Sequence, residues 1–172
     1  MADLTPGGRP VSSRLRPRRQ TVPVDDIDRA LVTALRVNGR VPFAELGRQV
    51  GLSGPSVQER VRRLEERGVV TGFHAGVDPV AVGLGVSALV GIYSSDNAES
   101  DDVARRLREV PEVEDCWFVA GDEEFVIFVR SADTAALEHV IAKIRRLRGV
   151  ARTRTTVILS TRWEGRPGPL PG

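Results

Sequence analysis

The sequence has a single cysteine, Cys116, which excludes an internal disulfide and any metal site built from several cysteines. The apolar residues that follow it, 117–119, predict a buried thiol on a strand. No apolar run reaches about 18 residues, and no apolar segment follows Met1, so the sequence predicts neither a membrane partner nor a secretory leader. We therefore expect a globular, cytoplasmic protein.

Proline and glycine concentrate at the two ends of the chain, and both ends are predicted to be disordered. Residues 1–24 contain five arginines and one aspartate. This composition suits a basic arm that reaches phosphates or a minor groove, and equally an inert tail. Residues 163–172 form a second tail, for which the sequence predicts no role.

The most informative stretch is residues 45–70, ELGRQVGLSGPSVQERVRRLEERGVV, which predicts two short helices around a turn. Gly51 can end the first helix in the left-handed conformation, and Ser53 can cap the start of the second. Gly47 is predicted to lie where the two helices cross closely, so only a small residue fits at this position. The preceding segment DDIDRALVTALRVNGR predicts another helix, capped by Asp25 or Asp26.

Val57, Val61 and Leu64 recur at helical spacing and predict one buried face. In a winged helix-turn-helix, such a helix lies in the DNA major groove. Its polar positions are then candidate DNA contacts: Ser53, Ser56, Gln58, Glu59, Arg60, Arg62 and Arg63.

Two alternatives remain open for this charged helix. The segment could be a helical hairpin with a solvated outer face, and Arg60 could pair with Glu65 or with an acid on the first helix. Residues 25–85 contain eight arginines and eight acidic residues, so DNA affinity would depend on local clustering of charge. We place the winged helix-turn-helix at residues 25–72, with a two-stranded wing or exit strand in 69–78 and a linker strand over 73–85.

The second half of the chain predicts strand, helix, strand, strand, helix and strand, an α+β fold of the ferredoxin-like (βαββαβ) type over residues 86–162. Helices would cover one sheet face. The other face could meet a twin subunit through Val86, Ala88, Val126, Val157 and Leu159.

The whole arrangement resembles the leucine-responsive/asparagine-regulator (Lrp/AsnC) family of transcription factors. The matching blocks are DRALVTALRVNGR, ELGRQVGLSGPSVQERVRRLEERGVVTGFHAGVDPVAVG, PEVEDCWFVAGDEEFVIFV and LRGVARTRTTVIL, which together span about residues 25–161. The resemblance implies a sequence-specific regulator that binds double-stranded DNA. It also implies a homodimer or higher homo-oligomer with a small effector, often an amino acid, between regulatory domains.

The family's effector loop maps onto Gly121, Asp122 and Glu124. Backbone amides at such a turn can hold a carboxylate, and an acidic side chain can hold an ammonium group. Glu123 and Glu124 stand where the family more often has Asp with an aromatic neighbour, so the pocket would favour a different effector or none. Two residues of the last strand, Thr153 and Thr155, are further pocket candidates.

Two other functions fit the same layout. Some proteins with this layout are decarboxylases of sirohaem-type tetrapyrroles that depend on histidines, and this chain has only His74 and His139. An architectural DNA-binding protein without an effector is the other. The sequence contains no metal-binding cluster, no nucleophile–base pair and no phosphate loop, so we expect a regulator that is not an enzyme and needs no cofactor.

Overall fold

The computed structural model describes residues 24–170, so the predicted basic arm lies almost entirely outside the described residues. The described chain divides into two compact units. One unit holds residues 24–76 and 163–170, and the other holds residues 77–162. Among the described residues no helix is both long and apolar enough to cross a membrane.

The first unit contains three helices: α1 (Asp26–Val37), α2 (Phe43–Val50) and α3 (Gly54–Glu66). Asp25 caps α1, because its side chain accepts a 2.7 Å hydrogen bond from the Asp28 amide. The predicted stripe is confirmed: Val57, Val61 and Leu64 are all buried. Val57 and Val61 pack in a small core with Leu31, Leu35 and Leu46 from the other two helices.

The predicted wing is wrong. The amides of Val69 and Val70 both donate to the Leu64 carbonyl, at 2.8 and 3.1 Å, so these residues close the end of α3. Residues 71–78 contain no strand, and the expected linker strand over 73–85 contains a 3₁₀ turn at Val80–Val82. A strand needs a neighbouring strand for its backbone groups, and the sheet formed within residues 24–170 includes no strand from this segment.

The second unit contains β1 (Val86–Ser94), α4 (Ser100–Arg108), β2 (Val113–Phe118), β3 (Phe125–Ser131), α5 (Thr134–Arg145) and β4 (Val150–Ile158). The four strands form an antiparallel sheet in the order β2-β3-β1-β4, which confirms the ferredoxin-like prediction. Alternate residues of β1 and β3 point to the helices and pack with them in one core: Ala88, Val90, Ile92, Phe125, Ile127, Val129, Val103, Leu107, Leu137, Val140 and Ile144.

The sequence assigned several side chains to the wrong sheet face. Ala88 is fully buried in the core with Val86 packed beside it, and Val157 pairs with Ala88 on the same side of the sheet. The open face instead carries Leu89, which is aligned with Phe128 of β3. Because side chains alternate along a strand, an error of one residue in the pattern moves every side chain to the other face.

The remaining predictions for this face concern Val126, Leu159 and the thiol. Val126 is aligned with Gly91 and with Trp117, so it does lie on the open face. Leu159 follows the end of β4 and is 96% exposed. Cys116 lies on a strand as predicted but is exposed, because β2 is an edge strand. Partial burial of its thiol still raises the pKa to about 11, so the thiol stays protonated near neutral pH.

Candidate nucleic-acid interface and effector site

The turn between α2 and α3 positions the candidate recognition helix. Gly51 adopts the left-handed conformation, with φ of 70°, and the Leu52 amide donates a 2.9 Å hydrogen bond to the Gly47 carbonyl. A Cβ atom on Gly47 would lie 2.3 Å from the Leu52 carbonyl oxygen. The small residue is therefore required, as predicted, although the turn backbone is the closest neighbour and not α3 itself.

The start of α3 presents small hydroxyl groups to solvent. Ser53 caps the helix by accepting a 3.3 Å hydrogen bond from the Ser56 amide, and the two hydroxyl oxygens lie 2.8 Å apart. Both serines and Gln58 are exposed on this first part of the helix. These groups can donate or accept hydrogen bonds, which suits contacts to phosphates and base edges.

A carboxylate connects the two exposed arginines of α3. Arg62 donates from Nε to Glu59 Oε2 at 2.8 Å and from Nη2 to Oε1 at 2.6 Å, and Arg63 Nε donates to Oε1 at 2.9 Å. Arg62 also pairs with Glu66. Hydrogen bonds from Arg62 and then Arg63 lower the pKa of Glu59 to about 2. Sequence reasoning missed this network, although the i,i+3 and i,i+4 spacings could have indicated it.

Arg60 has a different surrounding. Its Nη1 donates 2.8 Å hydrogen bonds to Asp25 Oδ2 and to Asp28 Oδ1, at the start of α1. Asp28 is buried, and Arg67 Nη1 lies 3.8 Å from its other oxygen. These two carboxylates raise the pKa of Arg60. Of the alternatives for Arg60, the pair with acids of the first helix is the one that forms, so Arg60 joins α3 to α1 and stands apart from the exposed arginines.

The candidate effector loop connects β2 to β3. Its Gly121 and Asp122 are exposed, whereas Glu124 turns inward, where its carboxylate accepts a hydrogen bond from Ser100 at the start of α4. The Glu124 amide also donates to the Ile92 carbonyl at 2.9 Å. Glu124 therefore fastens the loop to β1 and α4.

The predicted effector residues come from two parts of the second unit, the β2–β3 loop and β4. Thr153 and Thr155 are aligned with Ile92 and Val90, so they lie on the helix side of the sheet. On the opposite side Glu123 accepts a 3.2 Å hydrogen bond from the Tyr93 hydroxyl and pairs with Arg154. A hydrogen bond from its own backbone amide is the first cause of the lowered pKa of Glu123, followed by those side-chain partners.

Sequence reasoning missed this second group of residues. A Cβ atom on Gly91 would lie 2.6 Å from Cγ of Glu123, so the glycine leaves room for that side chain. The guanidinium of Arg152 stacks 3.6 Å from the centroid of the Tyr93 ring. A glycine inside a strand was the available signal, since it often marks a close approach.

The two histidines belong to different units and are both exposed. His139 Nδ1 lies 2.8 Å from the Ala135 carbonyl on its own helix.

Comparisons with known proteins identify both units. The profile of the AsnC-type helix-turn-helix domain matches residues 24–65, and that of the Lrp/AsnC ligand binding domain matches residues 87–167. The HTH-type transcriptional regulator LrpA of Mycobacterium tuberculosis is 48% identical over 143 residues, which cover 83% of this chain and 95% of LrpA.

Solved structures agree with this assignment. The feast or famine regulatory protein Rv3291c from M. tuberculosis, in complex with L-methionine, superposes with a TM-score of 0.82 at 46% identity. That match covers 86% of this chain and 100% of the other. The regulator NMB0573 from Neisseria meningitidis, also in complex with L-methionine, gives a TM-score of 0.77 at 26% identity and covers 87% of this chain and 97% of its own.

Proposed function

Because the chain belongs to the Lrp/AsnC family of transcriptional regulators, we propose that α3 reads double-stranded DNA and that the second unit binds an amino acid. The observation that carries the DNA part is the division of α3 into two faces. Val57, Val61 and Leu64 hold one face in the core, while Arg62 and Arg63 are exposed on the other.

In this proposal the exposed residues make different kinds of contact with DNA. Arg62 and Arg63 contact base edges or phosphates, since a guanidinium can bind either in bidentate fashion. Ser53, Ser56 and Gln58, with their shorter side chains, contact DNA at the start of the helix. Glu59 holds the side chains of the two arginines in position. Arg60 acts indirectly by holding α3 against α1.

We expect the double substitution Arg62→Ala, Arg63→Ala to weaken operator binding by about 10- to 100-fold, because it removes two contacts to DNA. Each lost phosphate contact should also reduce, by about one unit, the slope of the logarithm of the binding constant against the logarithm of the salt concentration. Fluorescence anisotropy with DNA from upstream of the protein's own coding region measures both quantities.

The matched control is Arg105→Ala, Arg108→Ala, which removes the same charge from exposed positions of α4 in the other unit. This control should change the affinity for operator DNA far less than the α3 double substitution does. If the α3 double variant binds as tightly as wild type, α3 is not the reading helix.

For the effector, we propose the loop at Gly121 and Asp122. Glu123 is already paired with Arg154 and Glu124 with Ser100, so Asp122 is the exposed acid left to hold an ammonium group. The L-methionine complexes of two relatives support an amino acid as the ligand class.

In this proposal an amino acid at this loop changes DNA affinity by changing how the subunits assemble. The open sheet face, with Leu89 38% and Trp117 47% exposed, suits a second copy of the chain. Two recognition helices must lie about 34 Å apart, or a multiple of it, to read successive major grooves. A rotation between subunits would change that spacing and so the DNA affinity.

We expect Asp122→Ala to remove the response of DNA binding to amino acids while leaving effector-free binding nearly intact. Titration of wild type and variant with a panel of amino acids, L-methionine included, tests this, and light scattering reports any change in assembly. Glu138→Ala, an exposed acid on α5, is the control. A response that survives in Asp122→Ala moves the effector site elsewhere, and no response in wild type favours an architectural protein.

A further inference from the structure

Glu59 is the centre of the charged network on the exposed face of α3. Its two carboxylate oxygens accept three hydrogen bonds of 2.6–2.9 Å, two from Arg62 and one from Arg63. Glu66 accepts a further bond from Arg62 Nη1. The donors of Arg62 are thus directed along the helix towards carboxylates.

The donors that Glu59 occupies are the ones that DNA needs. Arginine binds the O6 and N7 atoms of guanine, or a phosphate, through two parallel N–H donors. Arg62 uses such a pair, Nε and Nη2, on Glu59. A base or phosphate can bind this edge of Arg62 only when it replaces the carboxylate.

We propose that Glu59 competes with DNA for Arg62 and Arg63, so that these arginines contact DNA only where its acceptors replace the carboxylate. On DNA of arbitrary sequence the arginines stay paired with Glu59, so binding is weak. On a matching site, base and phosphate acceptors placed at both arginines replace the carboxylate together. The inference rests on the proposed function, because it assigns the regulation of the same helix.

The competition has a modest but measurable size. An exposed ion pair changes an equilibrium by a few-fold, so two pairs sharing one carboxylate should change DNA affinity by about 3- to 10-fold. Hydrogen bonds from Arg62 and Arg63 hold the pKa of Glu59 at about 2, so the carboxylate stays ionised near neutral pH. Release therefore occurs by exchange of partners and not by protonation.

Glu65 provides a matched control on the same helix. It is exposed, and among residues 24–170 it forms no ion pair with an arginine or lysine. Glu59→Gln and Glu65→Gln change the net charge of α3 equally. Any difference between them therefore reports the pairing of Glu59 and not bulk charge.

The experiment measures the affinity of the full chain for two duplexes across a salt series. One duplex is selected by the wild-type protein from a random library, and the other is its scrambled sequence. We expect Glu59→Gln to strengthen binding to the selected duplex about 3- to 10-fold more than binding to the scrambled one, because only the selected duplex has to break the pairs with Glu59. Glu65→Gln should strengthen both equally, and in the Arg62→Ala, Arg63→Ala background the two substitutions should become equivalent.

Two results would overturn the inference: Glu59→Gln behaves like Glu65→Gln, or it weakens binding to the selected duplex. The proposed function is tested separately by the arginine double variant. If that variant loses binding while the two glutamine variants agree, α3 still reads DNA and only the competition is wrong. If it binds like wild type, the proposed function fails as well.

Discussion

Replacing Gly47 by alanine should destabilise the helix-turn-helix by about 2–3 kcal/mol. Inside a helix this exchange normally stabilises by up to about 1 kcal/mol, because glycine has the greater backbone entropy to lose. Here the new Cβ atom would lie 2.3 Å from the Leu52 carbonyl oxygen, and that oxygen belongs to the turn backbone. The turn must move, and α3 loses its position.

Gly54→Ala is the control for this prediction. A Cβ atom on Gly54 would lie 3.5 Å from the nearest atom, the Ala44 nitrogen, which is an ordinary contact. This variant should be as stable as wild type or slightly more so. Amide hydrogen exchange is a suitable measurement because it separates the units: peptides from α2 and α3 should lose protection in Gly47→Ala, while β1 to β4 keep theirs. Equal protection in the two variants would contradict the prediction.

The second large effect is expected for Arg60→Ala, which should cost the first unit about 2 kcal/mol. The substitution removes the 2.8 Å hydrogen bond to Asp28, a residue that is only 6% exposed. Arg67, 3.8 Å away, is then the cation that remains beside the buried carboxylate. A buried charge with too few partners is costly, so α1 and α3 should separate more easily.

Arg62→Ala serves as the comparison, since it removes the same charge from an exposed position of the same helix. Exposed ion pairs contribute little to stability, so its unfolding midpoint should stay close to that of wild type. Chemical denaturation, monitored by hydrogen exchange of the amides in α1 and α3, distinguishes Arg60→Ala from Arg62→Ala. Adding Asp28→Asn to Arg60→Ala should restore part of the lost stability, because the unpaired charge is gone. No recovery would mean that Arg60 stabilises by packing and not by pairing.

The recognition module could be predicted well because its signals are local. The left-handed Gly51, the Ser53 cap and the Val57–Val61–Leu64 stripe depend on residues at most four positions apart. The order of strands and helices in the second unit followed from the same kind of pattern, and with it the ferredoxin-like fold.

The errors arose where contacts outside the apolar pattern decide the outcome. The valines after Gly68 suit a strand, but their amides bind Leu64 and no described strand lies beside them. Cys116 has the apolar neighbours of a core residue, yet it lies on an edge strand.

The sequence by itself determined the two-unit organisation and the helix that is proposed to read DNA, because periodicity, caps and turn glycines are encoded within a few neighbouring residues, and its resemblance to known regulators indicated the family. Only the tertiary structure decided what each charge does. Arg60 and Arg62 are two positions apart on one helix and are chemically identical. One reaches across to Asp25 and Asp28 on α1, and the other stays on the exposed face with Glu59, because a helix turns successive side chains in different directions.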